Sequence, residues 1–122
     1  MNPLIERSDL DRRIWEEELD SFVPDRIYDV HTHLYQWDFW KASDKDDSSY
    51  YEDIGKDMPE QGWEHLDELD NILLPGRTVD RLCFPFPFPE PCEFDRSNNW
   101  VAEQVPAGTD SGGLMLVHPA MS

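Results

Sequence analysis

Two hydrophobic periods divide this chain. From Ser8 to Val23, Leu10, Ile14, Leu19, Phe22 and Val23 recur at helical spacing, Trp15 widens the stripe, and Pro24 stops it. Ser8 can cap this helix, with Asp11 three residues on as in a capping box. The pattern predicts a helical cover over residues 1–24, packed on one end of the domain. Arg26 to Leu34 then reads as a short buried strand. Strand alternation sends Asp29, His31 and His33 to one face and Tyr28, Val30 and Thr32 to the other. Tyr35, Trp37, Phe39 and Trp40 follow at once. They fit a loop closing over a pocket equally well as packing that holds the next segment to the body.

Residues 41–62 are acidic and lack a clean period. Asp44, Asp46 and Asp47 are without the Gly and distal Glu of a calcium loop, so this stretch reads as a solvated insertion. Trp63 to Leu73 returns to helical spacing, with Leu66, Leu69 and Leu73 on one face; His65 lies off that stripe. Val79 to Phe84 is a second strand. Pro85, Pro87, Pro89 and Pro91 remove ladder donors, ending the sheet near Phe84 in a stiff apolar wall. A helix capped by Ser97 or Asn98 runs through Val105. Leu114 to His118 forms a third strand, apolar on both faces as in a parallel sheet covered by helices.

This order predicts an α/β fold with a parallel sheet and right-handed crossovers. His33, the aromatic loop, the Phe-Pro run and His118 all fall at the carboxyl ends of strands, where such folds bind ligands.

Charge narrows the partners. With 27 acidic against 10 basic residues, the net charge of −17 repels phosphate backbones and anionic lipid, so neither nucleic acid nor a membrane surface is expected. Cys83 and Cys92 show no metal-binding spacing and read as free thiols. No apolar run reaches the length of a membrane span, and the start lacks a signal peptide's apolar core; a cytoplasmic location is expected.

The candidate chemistry lies in His31 and His33. Two imidazoles on one face of a strand can lean toward one divalent ion. The competing reading makes them hydrogen-bonded structural histidines in a small acidic interaction module, with the Phe-Pro run as its contact surface. Asp29 is placed behind the pair, bracing the strand or orienting a ligand. Trp37, Phe86 and His118 are candidate substrate contacts, although for His118 a structural role is the stronger reading.

The run Tyr28-Asp29-Val30-His31-Thr32-His33-Leu34 resembles the first-strand metal motif of the amidohydrolase superfamily. Phe22 to Ile27, Asn99 to Glu103 and Leu114 to Pro119 are similar to segments of its amidohydrolase-related group. The resemblance spans about Asp20 to Ser122, with the acidic stretch as an insertion. It implies a metal-dependent (β/α)8 barrel, of which this chain would hold the first three strands, as the N-terminal portion of a larger enzyme. His31 and His33 would ligate the ion, zinc or manganese. The remaining ligands and the acid/base aspartate would come from later strands, leaving no catalytic residue of that kind within residues 1–122 and no turnover by them alone. The implied activity is hydrolysis of an amide, ester or lactone, or non-oxidative decarboxylation on the same scaffold. The substrate would be a small carboxylate, lactone or amide, and the enzyme could be a homo-oligomer.

Overall fold

A computed structural model describes residues 6–40, 59–88, 91–119 and 121. Residues 41–58 of the expected insertion lie outside the described residues.

The described elements are helix α1 (Asp9–Ile14), a π-helical turn (Trp15–Leu19), strand β1 (Arg26–Leu34) and a 3₁₀ turn (Trp37–Phe39), then α2 (Trp63–Leu73), β2 (Thr78–Pro85), α3 (Phe94–Gln104) and β3 (Gly112–Gly113). The strands form a parallel sheet in the order β1-β2-β3, as the α/β grammar predicts.

One face of the sheet holds the core. Leu34, Cys83 and Val101 are buried together, with Trp63, Leu66, Trp100 and Val105 packed around them, so α2 and α3 cover the same side. Arg81, only 2 % exposed, ties α2 to β2 through Asp67 at 3.1 Å and through Asp70. Its guanidinium also lies over the Trp63 ring at 4.6 Å. A buried cation is tolerated here because carboxylates and a ring face replace its water.

The N-terminal helix begins with the expected Ser8–Asp11 capping box, but α-helical geometry ends at Ile14. The stripe expected to be buried is mostly open: Leu10, Leu19 and Phe22 are exposed and Trp15 alone is buried. The guanidinium groups of Arg7 and Arg77 both lie over the Trp15 ring, at 5.9 and 5.0 Å from its centroid. Arg77 also donates to the carbonyls of Asp20 and Val23, which fixes this cover at the amino end of β2.

Three further expectations are corrected. β1 is buried only at Thr32 and Leu34, and its first half is open, with Val30 68 % exposed. Helix α3 starts at Phe94 rather than after a Ser97 or Asn98 cap. A bridge between Trp40 and Cys92 and a bond from Glu93 N–H to Phe39 C=O set that start, leaving Ser97 fully buried inside the helix. The third strand pairs only over Gly112–Gly113, and Leu114 to His118 leaves the ladder. Leu114 N–H still donates to Cys83 C=O at 2.8 Å. The next rung of a parallel ladder would need an N–H from Pro85, which has none.

Candidate metal centre

β1 carries an irregularity that strand alternation could not reveal. Asp29 faces Arg81 in register and Thr32 faces Cys83, so Val30 and His31 together oppose the single residue Leu82. This bulge reverses the alternation. Asp29 therefore falls on the face of Arg81 and Thr32, and the expectation that it shares a face with His31 and His33 is corrected. Its role is local: an Asp29 carboxylate oxygen accepts from His31 N–H at 2.9 Å and holds the bulge.

Beyond the bulge, His31 and His33 share the face of Phe84. Its ring stands edge-on to both imidazoles, with centroids 4.8 Å from His31 and 4.5 Å from His33. The two Nε2 atoms are 3.2 Å apart. His33 Nδ1 lies 3.2 Å from the Pro85 carbonyl oxygen. A carbonyl only accepts, so Nδ1 is the protonated nitrogen and the neutral ring leaves Nε2 bare toward His31.

That donor set fits an ion. Two imidazole nitrogens on one tetrahedral zinc at about 2.0–2.1 Å stand about 3.3–3.4 Å apart, close to the spacing present. An Nδ1–H bound to a carbonyl is the common outer support of a ligating imidazole. Burial pushes the His33 imidazole below its ordinary value, which keeps it neutral and able to ligate near pH 7. Among the described residues no group of three or more His, Cys, Asp or Glu side chains converges, so a third donor of these types does not join the pair.

The other candidate residues are placed unequally. Phe86 adjoins the pair, its ring 5.3 Å from His33. Trp37 is one layer removed, packed on Tyr35 and Phe88 with ring centroids 5.4 Å away from each. Tyr35, Phe39 and Phe88 form a buried aromatic cluster with Trp37, Trp40 and Phe86 around it. Packing is thus the role seen for the aromatic run. His118 follows β3 and stacks on Phe94 at the start of α3, with rings 5.3 Å apart and 11° from parallel.

Gln61 has no signal in the sequence, where it is one polar residue before a helix. In the fold its side-chain Nε2–H donates to the His33 carbonyl at 2.6 Å. Its main chain bridges Tyr35 in both directions, at 2.9 and 3.0 Å.

The chain matches no family model, no curated protein and no solved structure. Among the described residues no helix is long and apolar enough to cross a membrane.

Proposed function

We propose that His31 and His33 are metal ligands of a hydrolase, and that this chain supplies the first metal-binding strand of a (β/α)8-type enzyme acting on a small amide, ester or lactone. The convergence of two imidazole nitrogens at 3.2 Å, one ring fixed through its far nitrogen, carries this reading. The likeness to the amidohydrolase superfamily rests chiefly on the Tyr28 to Leu34 motif and supports it by pattern alone.

Each residue has a part. Pro85 holds the His33 ring in the tautomer that leaves Nε2 free, and Phe84 and Phe86 cover one flank against water. His31 is exposed, so the other flank is open to an incoming molecule. A divalent ion there would supply Lewis-acid polarisation of a carbonyl and a water made more acidic.

Metal content tests this directly. In equilibrium dialysis against a fixed concentration of free zinc, plasma emission spectroscopy should find excess zinc on the native chain and little on His31→Ala or His33→Ala. Equal zinc on all three contradicts the ligand assignment.

A further inference from the structure

We propose that Gln61 is a positioning residue for the histidine pair, acting through the His33 main chain. The use of that positioning for metal rests on the reading above; the positioning itself does not.

His33 is gripped from two sides. On the inner edge of β1 its ring reaches Pro85 of β2. On the outer edge Gln61 makes three hydrogen bonds, two to the Tyr35 main chain and one from its amide to the His33 carbonyl. Residues two apart on a strand present their peptide groups to the same edge, so one residue can hold both. The His33 peptide plane fixes the Cα–Cβ direction. That direction decides whether the ring meets Pro85 and His31 together.

Gln61 is itself held in place. The next residue, Gly62, lies so close to α3 that a Cβ there would come within 2.9 Å of Gln104 Oε1. That same oxygen accepts from Trp63 N–H at 3.0 Å. A larger residue at position 62 would push that flexible amide aside and loosen its bond to Trp63, so the packing of α2 on α3 adjoins the point where Gln61 meets β1. The clamp thus joins the sheet edge bearing the pair to the seam between α2 and α3.

Two variants of the full chain separate the possibilities. Gln61→Ala removes the amide while keeping the main-chain bridge. Gln61→Glu keeps the shape but, when ionised, has no proton to donate, and it serves if the alanine variant does not fold. Long-range proton–nitrogen spectra of the metal-free protein read the His33 tautomer, and calorimetry reads zinc affinity. In the native chain His33 should hold its proton on Nδ1. In both variants the ring should relax to a mixture of tautomers, and zinc should bind about ten-fold more weakly. A native tautomer, with zinc affinity within about two-fold of the native chain, overturns the proposal. If the tautomer shifts while the native chain itself binds no zinc, the positioning stands and the metal reading falls.

Discussion

Asn98 and Leu116 exchange two hydrogen bonds. The Asn98 amide donates to the Leu116 carbonyl at 2.9 Å, and Leu116 N–H donates to the Asn98 Oδ1 at 2.8 Å. One side chain of α3 therefore stands where a neighbouring strand would be, just past the point at which Pro85 ends the ladder. Asn98→Leu keeps the volume and removes both bonds from a half-buried site. It should cost about 1–3 kcal/mol in urea denaturation and speed amide exchange at Leu116. Unchanged exchange at Leu116 would mean that the bonds do not hold this segment.

Arg81 should be the most costly charge to remove. Arg81→Met leaves the partly buried Asp70 carboxylate without its cation. Asp67 is half exposed and contributes little. Burial already pushes the Asp70 carboxyl above its ordinary value, opposed by Arg81, so losing the guanidinium leaves the burial cost uncompensated. A loss of about 3 kcal/mol is expected, the low end for breaking a buried pair. A loss under about 1 kcal/mol would show that Asp70 finds water instead.

Asp80 gives stability a defined acid limb. A hydrogen bond from Arg26 at 2.9 Å holds its carboxyl below the usual carboxylate value of 3.8. With the folded value below the unfolded one, the stabilising contribution is fully present above the unfolded value. It is lost as pH falls through the lowered one. The stability gap between the native chain and Asp80→Asn should thus be flat above that ordinary value and close below it. A gap that persists at the lowest pH would assign it to packing.

Burial pushes the Cys83 thiol up to about 11 and leaves it with no exposed surface. At pH 8 an aromatic disulfide reagent should leave Cys83 unmodified in the folded chain and react with it on unfolding. Mass mapping of the modified cysteine reads this. Prompt labelling of Cys83 without denaturant would contradict its burial.

Where a segment's own spacing decides its structure, the sequence was readable. Leu66 and its neighbours announce α2 over Trp63–Leu73 with the right ends, and the Arg26–Leu34 strand and its histidine pair are equally plain. What escaped depends on a partner. The bulge at Val30–His31 exists only in register with Leu82, so the face of Asp29 could not be read from β1 alone. The shortness of β3 is written in Pro85, on another strand. The early start of α3 follows from the Trp40–Cys92 bridge rather than from any capping side chain. Gln61 acts through a carbonyl 28 positions away in sequence, and no local pattern marks it.

The Nε2 atoms of His31 and His33 should share one ion. X-ray absorption at the zinc edge of the loaded chain measures this most directly. Two imidazole nitrogens at about 2.0–2.1 Å, reduced to one in His31→Ala, is the expected result. A shell of oxygen alone, identical in both proteins, would contradict it.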